Sequence, residues 1–106
     1  SNRGRPCDDG YGNLYVIRST ARTKTHSIFR VSPDGRDTRV VVDGSAIGTP
    51  ISDADVLAVL PDGTMVVFAD EASVRIFGAD GRARFLSEKA RKDDADAARE
   101  RAREDE

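Results

Sequence analysis

The sequence contains few of the residues that give small proteins a covalent or metal-held framework. It has one cysteine in 106 residues, Cys7, which excludes an intrachain disulfide and a cysteine-based metal cluster. It has no tryptophan, no glutamine and a single histidine, His26. No segment approaches the roughly 18 consecutive apolar residues of a membrane-spanning helix. We therefore expect an apolar core to hold the chain together, and we expect no membrane span.

The sequence also lacks an excess of charge of one sign. Residues 1–86 carry 11 basic and 11 acidic side chains, and residues 87–106 carry 6 and 8, which gives the net charge of −2. Neither part has the basic surplus that is typical of a nucleic-acid-binding surface. We therefore expect no nucleic-acid partner, and the composition indicates no particular cellular compartment.

Short apolar segments separated by turn residues make up most of the chain. Asp-Gly pairs at residues 34–35, 62–63 and 80–81 are typical of tight turns, because glycine accepts a positive φ. The β-branched and aromatic segments between the turns predict about seven strands, at residues 13–18, 27–32, 37–42, 56–60, 64–69, 74–78 and 82–86. We therefore predict an all-β domain at residues 11–87, preceded by a flexible lead-in at residues 1–10.

Two parts of this region repeat. The segment GNLYVI at residues 12–17 aligns with GTMVVF at 63–68, and IFRVSPDGRDTRVVV at 28–42 aligns with VRIFGADGRARFL at 74–86. A period near 45 residues with three or four strands per unit is in the range of a β-propeller blade. The segments VLAVL, MVVF and VVV do not alternate between apolar and polar residues, which predicts that both faces of these strands are covered.

The repeated segments resemble the repeat of six-bladed β-propellers of the NHL, SMP-30/gluconolactonase and TolB-like type, over residues 10–86. The resemblance implies two antiparallel propeller-like blades, where those families use about six. Two blades leave one face of each sheet open. We therefore expect a fragment of a longer propeller, or association of copies through the open blade faces. A third possibility is a self-sufficient sandwich of two sheets.

The resemblance implies a non-catalytic binding or scaffold module that presents loops to a protein or other ligand. Residues 19–25 and 43–55 are the longest predicted loops and would form the presenting surfaces. One alternative is a fragment of an SMP-30-like metal-dependent lactone hydrolase, whose site gathers carboxylate and amide ligands from several blades. With Asn2, Asn13 and no glutamine, a complete site of that kind is not expected. The other alternative is a structural segment of a larger bacterial surface or toxin-delivery protein.

The remaining candidates for chemistry favour structural roles. His26 is predicted to be an exposed loop residue, since no orienting carboxylate or nucleophile is assigned to it. Cys7 is predicted to lie in the lead-in, near Arg5. Two groups of oxygen ligands lack the spacing of an EF-hand and are predicted to be hydrogen-bonded turn residues: Asp8, Asp9 and Asn13, and Asp53 with Asp55. No catalytic residue, metal or cofactor is predicted.

Residues 88–106 form a charged tail that is predicted to be helical or disordered. Ser87 followed by Glu88 is a helix-start signal. Two favourable charge pairs are predicted along this helix, Glu88 with Lys92 and Asp96 with Arg99. The apolar residues of the tail are all alanine, so no apolar stripe is available to pack on the domain. We therefore expect a solvated helix or linker.

Overall fold

The computed structural model describes residues 7–20, 25–47, 50–52, 55–70, 73–85 and 87–104. These residues form two four-stranded antiparallel sheets and one α-helix, and they form no closed barrel. In each sheet the strands follow one another in chain order. Sheet 1 comprises β1 (Cys7–Asp8), β2 (Leu14–Ser19), β3 (His26–Val31) and β4 (Thr38–Val42). Sheet 2 comprises β5 (Val56–Val59), β6 (Met65–Asp70), β7 (Ser73–Phe77) and β8 (Ala83–Arg84), and helix α1 (Glu88–Glu104) follows.

The predicted β architecture with antiparallel strands is confirmed, and the described residues contain one strand more than the sequence predicts. The seven predicted strands correspond to β2–β8. The additional strand, β1, lies in the segment predicted to be a flexible lead-in, where Cys7 pairs with Tyr15 and Asp8 with Leu14. Two residues without an apolar pattern give no strand signal of their own. Pairing with the much stronger β2 is what orders them.

The strand pairing shows that the two sheets are built on the same plan. Adding 51 to the residue numbers of a β1–β2 pair gives a β5–β6 pair. Cys7 pairs with Tyr15, and Ala58 pairs with Val66. The second pair of strands follows the same rule with an offset of 46 for β3. Thus Leu14 pairs with Val31, and Met65 pairs with Phe77. The repeat that is visible in the sequence is therefore a repeat of backbone pairing.

Equivalent turns close both repeats. The amide of Gly35 donates to the carbonyl oxygen of Ser32 at 2.9 Å, and the amide of Gly81 donates to that of Gly78 at the same distance. The φ angles of Gly35 and Gly81 are +75° and +80°, a region that side chains make costly. The predicted Asp-Gly turn chemistry is confirmed at both positions.

One apolar core lies between the two sheets. It combines side chains from sheet 1 with side chains from sheet 2 and from the connection between them. Its buried members are Tyr15, Ile17, Ile28 and Val42 from sheet 1, Ile47 and Ile51 from the connection, and Leu57, Met65, Val67 and Phe77 from sheet 2. We call the face of each sheet that contributes to this core its inner face, and the opposite face its outward face.

The sheets stack with corresponding strands near each other. Strand β5 contacts β1 and β2. At the opposite edge of the two sheets, the β7–β8 turn lies against β4. Gly81 approaches Val41 so closely that a Cβ atom at Gly81 would overlap the backbone carbonyl oxygen of Val41. Val41 is also the extra residue at a β-bulge, where the pairing shifts between Ile28 and Phe29. The first strand of sheet 2 therefore lies against the first two strands of sheet 1, and the turn before β8 lies against the last strand of sheet 1.

The connection between the sheets is anchored at several points. A short 3-10 helix at Gly44–Ala46 is capped by the Asp43 side chain, which accepts a hydrogen bond from the Ser45 amide. The amide of Gly44 donates to the buried hydroxyl of Ser27 at 2.9 Å. Ile47 and Ile51 are buried in the core. The described part of this predicted presenting loop is thus largely committed to packing.

Helix α1 begins and is paired largely as the sequence predicts. The Ser87 hydroxyl accepts a hydrogen bond from the Ala90 amide at 3.1 Å, which caps the helix. The predicted pair of Asp96 with Arg99 is present at 3.1 Å. Glu88 contacts Arg91 instead of the predicted Lys92, because the guanidinium can place two nitrogens on one carboxylate oxygen.

Candidate interaction surfaces

The outward face of sheet 1 is apolar and partly exposed. Successive residues of a strand lie on opposite faces of a sheet, so the neighbours of the core residues Tyr15 and Ile17 lie outward. Val16 is buried yet lies outside the core cluster, as this alternation requires. Across the strands of this face lie Leu14, Val16, Phe29, Val31 and Val40, with the polar residues Arg18 and Thr38 near the strand ends. Leu14 and Val40 are 40% and 50% exposed.

The outward face of sheet 2 has the same character. Its side chains alternate with the core residues Leu57, Met65, Val67 and Phe77. The apolar ones are Val56, Ala58, Val66, Phe68, Val74 and Ile76, and the charged Arg84 lies opposite Ile76 on the edge strand β8. Phe68 and Val74, which pair directly with each other, are 39% and 48% exposed. Two large apolar side chains therefore lie side by side and partly exposed on this face.

The continuous apolar strands are thus covered on one face by the opposite sheet. The expectation that both faces would be covered is met on the inner faces only, within the described residues. Val56, Ala58 and Val66 on the outward side of sheet 2 are half-buried, and Phe68 beside them is exposed. The strands with continuous apolar segments therefore keep one face, the outward face, that the opposite sheet does not cover.

Asp9, from the first group of candidate oxygen ligands, belongs to a hydrogen-bonded turn. The buried carboxylate of Asp9 accepts hydrogen bonds from the Tyr11 amide at 2.8 Å, the Asn13 side-chain amide at 2.9 Å and the Tyr15 hydroxyl at 3.4 Å. Burial raises the pKa of the Asp9 carboxyl, but these hydrogen bonds outweigh burial and hold the pKa below its usual value. Burial, aided by the charge of Asp9, raises the pKa of the Tyr15 hydroxyl. The group fastens the β1–β2 turn to the core strand β2.

The other candidate residues are also placed in structural surroundings. The carboxylate of Asp55 is buried and accepts hydrogen bonds from the amide and hydroxyl of Ser52, whereas Asp53 lies outside the described residues.

His26 was predicted to be an exposed loop residue, and this was wrong. It is the first residue of β3, half-buried and paired with Ser19. Cys7 belongs to β1 rather than to a loose lead-in. In the described part of the chain, no three His, Cys, Asp or Glu side chains converge to form a metal site.

A part-buried ion pair joins α1 to sheet 2. The Arg75 guanidinium of β7 lies 2.8 Å from a carboxylate oxygen of Asp94, with 17% and 20% of the two side chains exposed. The same guanidinium lies over the Phe77 ring, 5.6 Å from its centroid. Burial lowers the pKa of Arg75, and the charge of Asp94 counters that effect. The helix expected to be free in solvent is therefore tethered near the core.

The sequence predicted open blade faces but did not predict which residues lie on them. Alternation along the predicted strands divides each strand into two sets, but both sets are apolar in VLAVL and MVVF. The sequence alone therefore gives no signal for which set lies inward. The Arg75–Asp94 pair was missed because its partners are 19 residues apart on different elements.

Comparison with known proteins adds no identification. The chain matches no protein-family model, and no curated protein and no solved structure shows significant similarity to it. Among the described residues, no helix combines the length and the apolar character needed to cross a membrane.

Proposed function

We propose that this chain is a non-catalytic binding or scaffold module built from two β-propeller-like repeats, and that its open sheet faces engage a protein partner. The observation that carries the proposal is the pair of apolar outward faces, one at each end of the stack. A folded chain gains nothing from exposing Phe68 or Leu14 to water, whereas a contact that covers them is favourable by about 25 cal/mol per Å² of apolar area.

The propeller-like architecture is supported by three features of the sheets. Each has four antiparallel strands in chain order, both share one pairing register, and the sheets stack with β5 against its counterpart β1. In a propeller, successive sheets repeat radially in this way. Residues 21–24 of the predicted presenting loop at residues 19–25 lie outside the described residues, and its two described ends are joined by a 2.8 Å hydrogen bond from the Thr20 amide to the Thr25 carbonyl oxygen. The anchored connection at residues 43–55 is less suited to that role.

The test compares the proteins that bind to the chain when its outward faces are intact and when one of them carries a lysine. Immobilised wild type, Leu14→Lys and Phe68→Lys are exposed to the same cell extract, with Tyr11→Lys as the matched control. Tyr11 is a large side chain in the β1–β2 turn, 72% exposed and outside both faces. We expect proteins captured by wild type and by Tyr11→Lys to be lost with Leu14→Lys or Phe68→Lys. Equal capture by all four proteins would contradict a role for the faces.

A further inference from the structure

Equivalent residues of the two repeats lie on opposite sides with respect to the core. Leu14 is 40% exposed on the outward face of sheet 1, while its counterpart Met65 is 1% exposed on the inner face of sheet 2. The reverse holds for Phe68, which is 39% exposed on the outward face of sheet 2. Its counterpart Ile17 is 6% exposed on the inner face of sheet 1.

The third strand of each sheet follows the same rule. Val74 is 48% exposed on the outward face of sheet 2, and its counterpart Ile28 is fully buried in the core. Val31 lies on the outward face of sheet 1, and its counterpart Phe77 is fully buried. The inversion is therefore a property of whole faces. The outward face of sheet 2 is the counterpart of the inner face of sheet 1, and the outward face of sheet 1 is the counterpart of the inner face of sheet 2.

The two inner faces pack against each other in this chain. The outward face of sheet 2 corresponds to the inner face of sheet 1, and the outward face of sheet 1 corresponds to the inner face of sheet 2. The two outward faces should therefore pack on each other as the two inner faces do. One chain cannot bring them into contact, because they lie on opposite sides of its core. We propose that the outward face of sheet 2 packs on the outward face of sheet 1 of a second copy of this chain. This inference rests on the proposed function and names the partner.

The contact is head-to-tail, because each copy uses a different face at each end. Repeating it closes into a ring when the rotation from one sheet to the next divides a full circle, and every sheet of that ring has both faces covered. Propellers contain about 4–8 sheets, so a ring of two-sheet chains contains two, three or four copies. The covering sheet is not the segment that directly follows β8, because that segment is the charged helix α1. Every copy also carries both of the required faces.

The first experiment measures the mass of the full chain by light scattering over a range of concentrations. We expect a particle of two to four 11.5-kDa chains whose mass stays constant above a threshold concentration. Tyr11→Lys should give the same mass. Leu14→Lys and Phe68→Lys should each weaken the association by more than about tenfold, because each buries an unpaired charge in the contact. A wild type that is monomeric at every concentration would overturn the inference.

Mixing the two lysine variants tests the head-to-tail arrangement. Leu14→Lys keeps an intact outward face on sheet 2, and Phe68→Lys keeps one on sheet 1. Each alone should be monomeric, and their mixture should form a particle of two chains and no larger. A variant that still dimerises alone would show pairing of like faces and overturn the inference. Circular dichroism verifies folding, and Leu14→Ser and Phe68→Ser replace any lysine variant that does not fold.

The same variants separate failure of this inference from failure of the proposed function. If wild type is monomeric but its capture of another protein is abolished by Phe68→Lys, the faces bind a different partner, and only the inference is wrong. If the lysine variants alter neither the mass nor the capture, both are wrong.

Discussion

The contact between the β7–β8 turn and β4 can be tested with two glycine substitutions that differ mainly in that contact. Gly35 and Gly81 occupy equivalent turns, with φ angles of +75° and +80°. A Cβ atom at Gly35 would meet nothing within 4 Å, whereas one at Gly81 would overlap the carbonyl oxygen of Val41 in the other sheet. Both substitutions by alanine impose the same unfavourable φ, but only one also pushes the sheets apart.

The expected magnitudes follow from these two costs. Holding alanine in the left-handed region costs about 1–2 kcal/mol. Forcing a new carbon against packed backbone adds about 1–3 kcal/mol. We therefore expect Gly35→Ala to lower the free energy of unfolding by about 1–2 kcal/mol, and Gly81→Ala by about 2–5 kcal/mol.

Urea unfolding followed by circular dichroism, at one low protein concentration, measures the difference. The comparison is valid if both variants unfold in a single transition with the slope of the wild type. Gly81→Ala should then show the lower midpoint. Equal losses in the two variants would mean that the β7–β8 turn does not lie against β4, and the stacking of the sheets would have to be rejected.

Three further outcomes are expected. Phe77→Ala should cost about 3–5 kcal/mol in urea unfolding, since Phe77 is fully buried, while Phe68→Ala in the dilute chain should cost about 1 kcal/mol or less; similar costs would contradict the assignment of faces. Asp94→Asn should speed amide exchange throughout α1, while Asp96→Asn, which removes an exposed pair, should not; identical exchange would show that the tether is unimportant. The folded pKa of Asp9 lies below the unfolded value of 3.8, so its stabilisation is present above pH 3.8 and is lost as the pH falls through the folded pKa. Asp9→Asn should therefore be less stable than wild type at neutral pH and lose less stability on acidification, and parallel pH curves would refute this.

The sequence predicted the strands well because their signals are local. Asp-Gly turns and β-branched segments place β2–β8 to within one or two residues, and the repeat predicted that both sheets share one plan. These features depend on the propensity of a few neighbouring residues and on turn geometry, which a single sequence carries.

What could not be predicted depends on contacts between distant parts of the chain. Strand β1 exists because β2 offers it an edge, and His26 belongs to a strand because Ser19 pairs with it. Which apolar set of β6 faces the core is decided by the position of the opposite sheet. The Asp94 tether likewise depends on how α1 returns toward β7. None of these has a signature in the spacing of residues along the chain.

The position of Gly81 against Val41 has a consequence for the shape of any assembly. A head-to-tail contact closes only when the rotation from one sheet to the next divides a full circle, and otherwise it continues as an open fibre. The β7–β8 turn acts as a spacer that helps to set the angle between the two sheets of one chain. In a head-to-tail assembly, a side chain introduced at Gly81 would alter that angle once in every copy, so electron microscopy of such a variant would reveal fibres or rings of a different diameter.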